Sequence, residues 1–416
     1  EAFEPQPFWT IEADFGAYSG IRQGSKNQTR IYDRKQAQQI VEKVQGQIGT
    51  ITGIQTKDKS IPPPLAYDLT SLQSDANRLL GFSAKKTLQT LQRLYEHHKV
   101  LTYPRTDSKH ITEDMVPTIP DRLSALKGTP FSSIAENVKQ KGVKTSKRFV
   151  DDTKVSDHHA IIPTEQPVVL DKLNNDECKI WQLVAGRFME VLMPAYKYKQ
   201  ITLTTEVSGE RFISRGTKVI DAGWKKVTGA YRSGGSDDEN EEDEDIPSQR
   251  LGEHREGEQH PVKSASIKQG WTKPPPRYTE GTLLNAMEHA GRFIDDKALK
   301  KSIEKGGLGT PATRADIIEK IISNNYVDRN GQELIPTSRG YELLELVPEK
   351  LKKPELTAQW ELRLSKIASG TDSRRDFITD MRNEAKAIVE MVKTSNAEYK
   401  PHGAADSVCP LCGKPL

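Results

Sequence analysis

The 416 residues contain no apolar run approaching the roughly 20 that a membrane-spanning helix requires, which excludes an integral helical membrane protein. Cysteine is nearly absent. Three in the whole chain are too few for the disulfide framework of a secreted scaffold and fit a reducing cytoplasm. No secretory signal segment opens the chain, and its first residue is Glu1 instead of Met, which points to a piece of a longer protein. A net charge of one sign is lacking too: 61 Lys and Arg face 58 Asp and Glu, for a formal +3. That balance is local. Residues 237–245 hold eight acids, and without those eight the +3 becomes +11. A basic body with one acidic appendage suits a nucleic-acid partner. The acidic run lies between Gly234-Gly235 and Pro247 without periodicity or aromatic residues. Residues 234–247 are therefore expected to form a solvated, disordered loop and not a metal site.

What is present is enough chain for two to four domains with real cores. Trp9, Ile11, Ala13 and Phe15 alternate with Thr10, Glu12 and Asp14, predicting a half-buried strand. Asp33 caps a helix whose apolar face is Ala37, Ile40, Val41 and Val44, ending at Gly46. Ile48 to Thr56 is strand-like, and Ile61-Pro62-Pro63-Pro64 closes the segment as a stiff connector. From Tyr67 the period turns helical, through Leu69, Leu72, Ala76, Leu79 and Leu80 to Gly81. Ser83 then caps a helix carrying Leu88, Leu91, Leu94 and Tyr95. A further helix from Asn175 to Leu192 turns Ile180, Leu183, Val184, Phe188, Val191 and Leu192 inward, with Cys178 read as a core residue. Residues 197–228 return to strands: Ile201, Leu203, Thr205 and Val207 alternate with polar neighbours, and Phe212 to Trp224 continues the pattern.

Strands on both sides make the helical block at 66–196 an insertion in a discontinuous β-rich domain, residues 1–65 plus 197–270. Residues 271–400 are helical again. Thr310-Pro311 opens a helix through Ile317, Ile318, Ile321 and Ile322. Asn330-Gly331 is a two-residue hairpin signal, and a helix from Arg339 to Val347 follows Thr337. Helix, helix and hairpin read as winged-helix-like, a common DNA-binding arrangement. Residues 401–416 begin a zinc-ribbon-like tail with Cys409-Pro410-Leu411-Cys412. One CxxC pair is half of a tetrahedral site, so no zinc is assigned to this chain. The fold class expected is α+β and multidomain.

The densest chemistry is Leu101-Thr102-Tyr103-Pro104-Arg105-Thr106-Asp107-Ser108. A tyrosine sits two residues before an arginine, and Pro104 fixes a backbone angle between them. Arginine can hold two phosphate oxygens at once and stays charged. Phenol, with a pKa of about 10, leaves phosphorus more readily than a sugar hydroxyl does. A phosphotyrosine diester therefore keeps enough energy to be resealed without ATP. Taken alone, the octapeptide is equally a buried tyrosine before an ordinary turn.

This octapeptide resembles the active-site segment of type IA DNA topoisomerases, close to the bacterial topoisomerase III branch. So do Asp157-His158-His159-Ala160-Ile161-Ile162-Pro163-Thr164, Gly307-Leu308-Gly309-Thr310-Pro311-Ala312-Thr313-Arg314-Ala315, and Pro275-Pro276-Arg277-Tyr278-Thr279-Glu280-Gly281-Thr282-Leu283-Leu284. The four stand in the family's order and span most of the chain. The resemblance implies a toroidal core: a β-rich arch carrying an inserted helical, winged-helix-like catalytic domain, followed by a helical winged-helix-like domain.

It implies Tyr103 as nucleophile, Arg105 as the phosphate-binding arginine, and His158 as a hydrogen-bond donor at the scissile phosphate. Thr102, Thr106 and Asp107 match orienting positions. His159 shares the histidine motif, with a structural or exposed role left open. Gln92 and Glu96, one helical turn apart, match a pair that orients the site or contacts DNA, and a plain surface pair is the alternative. Thr313 and Arg314, near a helix N-terminus, are expected to bind backbone phosphate; Gly307 and Gly309 would let that loop approach a DNA strand closely, and a helix-entry turn is the alternative for both.

The activity implied is cleavage of one DNA strand through a 5′-phosphotyrosine, passage of another strand and religation, relaxing negative supercoils and separating catenated DNA. The alternative is a single-stranded-DNA-binding fragment without independent catalysis. The family's N-terminal metal-binding domain, with its glutamate, lysine and Asp-x-Asp pair, has no match here. Magnesium is expected in that missing domain, and no ATP is expected. A helicase partner is left open, no membrane is expected, and a bacterial, nucleoid-associated cytoplasmic location follows.

Overall fold

The computed structural model describes residues 3–231, 246–304 and 306–394. The acidic run 237–245 and the Cys409–Cys412 pair lie outside them. In chain order the elements are β1 (Pro7–Asp14), β2 (Ser19–Gln23), α1 (Arg34–Val44) and β3 (Ile48–Ile61). Then come α2 (Leu69–Leu80), α3 (Ala84–Glu96), α4 (Ile119–Ala125), α5 (Ser132–Gln140) and α6 (Asn175–Val191). There follow β4 (Tyr196–Val207), β5 (Glu210–Asp221), α7 (Lys225–Tyr231), β6 (Ser248–Gln249), β7 (Gln259–Pro261) and β8 (Ser264–Trp271). The last are α8 (Glu280–Glu288), α9 (Lys297–Ile303), α10 (Pro311–Ser323), β9 (Val327–Asn330), β10 (Glu333–Pro336), α11 (Ser338–Leu346), α12 (Glu355–Ala368) and α13 (Arg374–Thr394). Among the described residues no helix is long and apolar enough to cross a membrane.

Two compact units result, residues 1–64 with 189–276 and residues 65–188 with 277–416. The sequence divides the second of these into two domains, whereas in the structure the tyrosine segment and the later winged-helix segment share one unit.

The first unit is a sheet of order β7-β3-β4-β5-β2-β1-β8, with β6 pairing β5. Its longest pairing sets β3 against β4 from Thr50↔Glu206 to Ile61↔Tyr196, with one bulge at Ile51/Gly53. α1 starts where the Asp33 carboxylate accepts the Lys35 N–H at 2.8 Å. It lays Ala37, Ile40 and Val44 on a core of Ile11, Ala13, Phe15, Ile51, Leu203, Val207 and Phe212. The strand pattern expected through residue 228 breaks earlier, because Asp221 accepts the Gly223 N–H and a short helix, α7, begins at Lys225.

The second unit contains two helical modules. In the first, the segment before α2 bridges Tyr67 to Ile161 and the segment after α3 bridges Leu101 to Pro163. In the second, α8 and α10 precede the β9–β10 hairpin, to which Thr279 adds by bridging Glu333. The hairpin's register sets Asn330 opposite Glu333. Its two-residue loop is therefore Gly331-Gln332, one position later than the Asn330-Gly331 expected. Gly331 has φ +61°, and glycine at the first loop position is what a type II′ turn requires. Buried Glu280 ties the modules together: it accepts the Ala84 N–H at 2.8 Å and the Arg329 Nε–H at 2.7 Å.

Candidate active site

Tyr103 stands on the extended segment that leaves α3, anchored by buried Val100 and Leu101. The facing segment, 158–164, is laced to it by backbone and threonine hydroxyls. Thr102 N–H donates to the Ile162 carbonyl at 3.0 Å. The Thr102 hydroxyl donates to the Ala160 carbonyl at 3.1 Å and accepts the Ile162 N–H at 2.9 Å. Thr164 returns the favour, its N–H meeting the Val100 carbonyl and its hydroxyl the Lys99 carbonyl. Buried Thr106 donates to the His158 carbonyl at 3.0 Å. Two sequence motifs more than fifty residues apart thus become one surface, and the threonines between them are spent on backbone.

The Tyr103 ring is half-buried. It meets Tyr95 edge-on at 5.5 Å and lies 4.3 Å from the His158 ring, tilted 41°. His158 and Arg105 are exposed, and Arg105 has no ion-pair partner among the described residues. An exposed guanidinium two residues from a phenol, with an imidazole against that phenol's ring, can receive a phosphate diester.

His159 points elsewhere. Its Nδ1 lies 2.8 Å from the Ala160 carbonyl, which can only accept, so Nδ1 carries the proton. Burial, outweighing that carbonyl and helped by Arg122 and His158, pushes the imidazole below its ordinary value. A neutral ring here shapes the backbone. Arg122 backs the same segment, donating to the Pro163 carbonyl at 2.6 Å and pairing with Glu165.

Gln92 is half-buried and Glu96 exposed on α3. Asp107 is exposed and acts electrostatically on Arg314. Thr313 forms a capping box with Thr310 at the start of α10, accepting the Thr310 N–H at 2.9 Å. Gly309 has φ +69°. Gly307, at φ +67°, lies so close that an added Cβ would stand 2.3 Å from the Met287 carbonyl, and no other residue fits there.

Arg314 differs most from expectation. It is only 2% exposed. Its guanidinium donates to the Leu308 and Gly306 carbonyls, to Thr70 and to Glu288. Burial pushes its pKa down against the pull of Glu288. It clamps the glycine loop onto α2 and α8 instead of facing solvent.

Sequence patterns did not single out two of these features. Tyr95 was placed on the apolar face of α3, yet it is 38% exposed and packs against Tyr103. The trio of Tyr67, Asp75 and Arg187 beneath the bridge was also missed. Tyr67 donates to Asp75 at 2.5 Å, Arg187 donates to it at 2.9 Å, and Arg187 lies over the Tyr67 ring. An i, i+8 spacing of tyrosine and carboxylate carries no local signal.

Residues 1–379 match the sequence model of a DNA topoisomerase family, and the chain belongs to the type IA DNA topoisomerases. Among its relatives, DNA topoisomerase 3 of Bacillus subtilis (strain 168) is 42% identical over 418 residues, covering 100% of this chain and 57% of that protein. DNA topoisomerase 3 of Bacillus licheniformis is 43% identical over 417 residues, covering 99% and 56%. The chain thus spans a little over half the length of these relatives. In fold it resembles full-length topoisomerase I from Thermotoga maritima, with TM-score 0.68 and 21% identity over 100% of this chain and 63% of that one.

Proposed function

We propose that this chain carries the strand-cleaving tyrosine of a DNA topoisomerase that works through a 5′-phosphotyrosine. The Tyr103 oxygen bonds to a backbone phosphorus, and the bond from phosphorus to the upstream sugar O3′ breaks. The phenol gives up its proton and the departing O3′ takes one up. Arg105 offsets the charge that builds on the phosphate oxygens, and His158 donates to the same phosphate. Reversal of the step after another strand has passed changes linking number or unlinks catenated DNA. Single-stranded DNA is the substrate gripped, and the bacterial cytoplasm the location. The observation that carries this reading is the lacing of 100–103 to 158–164, which sets Tyr103 beside His158 with Arg105 unpaired.

Magnesium does not fit this site as it stands. Among the described residues no three His, Cys, Asp or Glu side chains cluster beside Tyr103, so no step is routed through a metal here.

The test is capture of a denatured protein–DNA adduct on a single-stranded oligonucleotide, supplemented where needed with the segments by which its longer relatives exceed it. Adduct attached to the DNA 5′ end, absent from Tyr103→Phe while binding stays within about twofold, is the expected result, because only a hydroxyl is removed. Attachment to the 3′ end, or adduct persisting in Tyr103→Phe, would overturn the assignment.

A further inference from the structure

The sheet unit holds a second group of chemistry-bearing side chains, one that strand cleavage does not use. Between β6 and β7 the chain turns back along β3: Gly257 N–H donates to the Ile51 carbonyl at 2.8 Å, and Ile51 N–H to the Glu258 carbonyl at 2.9 Å. His260 follows on β7, opposite Gly49. This turn gathers His254, Glu258 and His260 so that one ligand atom from each lies within 4.8 Å of the others.

His254 Nδ1 lies 3.3 Å from Glu258 Oε2, and His260 Nε2 lies 3.1 Å from Glu258 Oε1. We propose that these three side chains bind a divalent transition-metal ion, with zinc the best fit.

Two independent observations support this. The first is spacing. Ligand atoms about 2.0–2.1 Å from a tetrahedral zinc stand about 3.3 Å from one another; here each histidine nitrogen lies 3.1–3.3 Å from a Glu258 oxygen, and all three ligand atoms lie within 4.8 Å. The second is an unmet polar demand. His260 Nε2, the atom that faces Glu258 at 3.1 Å, is shut off from solvent without a hydrogen bond. His254, 6% exposed in its side chain, turns Nδ1 to the same carboxylate at 3.3 Å. A buried imidazole nitrogen left without a partner costs free energy unless something takes up its lone pair.

The donor set selects the ion. Two imidazoles and one carboxylate suit zinc and its neighbours, whereas magnesium and calcium take oxygen. Glu258 supplies the carboxylate, the anionic donor that offsets the charge of a cation. Glu258 is also the open side of the cluster, at 38% exposure, which provides an entry path.

Tyr18 closes the other side. Its ring meets those of His254 and His260 edge-on at 5.1 and 5.3 Å. Its hydroxyl is turned away to Thr205 at 2.9 Å. Three protein donors therefore leave a fourth position for water. Bound there, the ion staples the turn at 254–260 to the β3 edge of the sheet.

The test uses the full chain with Cys409→Ser and Cys412→Ser, so that the tail thiols contribute nothing. Cobalt(II) is titrated first and followed by its visible d–d absorption, then displaced by zinc, with thermal unfolding measured in parallel. One equivalent bound, a melting temperature raised by zinc and unmoved by a tenfold excess of magnesium, is the expected result. His254→Ala and His260→Ala should each weaken zinc at least about 100-fold, since losing a ligand exceeds the 10–100-fold typical of losing a ligand's own hydrogen-bond partner. Absence of saturable binding to the parent chain would overturn the proposal, with no variant needed. So would binding that survives both histidine substitutions, or ready displacement by magnesium.

Discussion

Arg105 and Arg314 both come from the recognised motifs, and their burial assigns them different work. Arg105 is exposed and unpaired, so replacing it with Lys removes the two-pronged fork and should raise the cleavage barrier by about 2–4 kcal/mol. Single-turnover cleavage checks this, and a rate near that of the parent would show that Arg105 is not on the phosphate. Arg105→Ala should also reduce the salt-dependence slope of DNA binding by about 1, the signature of one lost phosphate contact. Arg314→Ala should leave that slope alone and lower the unfolding free energy by about 3–5 kcal/mol, because Glu288 loses its buried partner. Urea unfolding reads the second effect. The distinction was illegible in sequence for a plain reason. An arginine just inside a helix looks like a phosphate ligand until its other neighbours are known, and one of them, Thr70, is 244 residues away. Tyr95 escaped notice in the same way, since a helical period cannot tell an aromatic in the core from one that packs on the next segment.

The caps and helices were legible because their causes are local. Asp33, Ser83 and Thr310 each meet a backbone N–H or a hydroxyl within three residues. β8 was not singled out. It exists because eight of its residues pair with β1, more than 240 positions earlier, and its own sequence alternates only weakly. The Tyr103 segment lies between these cases: its residues were recognisable, but the lacing that holds them was not. The Thr102 hydroxyl supplies two of the cross-links, so Thr102→Val should slow cleavage at least tenfold while single-strand binding changes less than twofold. Thr102→Ser keeps the hydroxyl and should recover most of the rate. Equal loss in both variants would mean the methyl group, and not the cross-link, positions Tyr103.

Across the whole molecule, stability in acid follows from carboxylates held in the helical unit. Burial alone would raise the Asp75 carboxyl, but Arg187, Tyr67 and Arg78 overcome it and hold the group below its ordinary range. Glu177, which joins α6 to α3 through Arg93, is lowered in the same way by Asn174, Arg93 and His98 against its burial. A depressed folded pKa gives stability that is present above the unfolded value, about 4, and is lost as pH falls through the folded one. Thermal melting should therefore drop below about pH 4, and Asp75→Asn should flatten part of that drop while lowering stability at pH 7. A melting curve in Asp75→Asn with the parent's full acid slope would place the acid-sensitive group elsewhere.

The pairing of β3 with β4 has a consequence for synthesis. Ile61 leaves the ribosome long before Tyr196, its partner in the ladder. At roughly 5–20 residues per second, the strand waits about 7–27 s with an open edge. An open edge recruits other chains unless charge or poor packing discourages them. Gln55, Thr56, Lys57, Asp58 and Ser60 are all polar and remain exposed after folding, so the waiting half of β3 offers a neighbour little to bury. Replacing Lys57 and Asp58 together with Val should lower the soluble yield from cells severalfold and move the urea midpoint of the purified protein little. An unchanged yield would mean that the nascent strand is sheltered by something other than its own side chains.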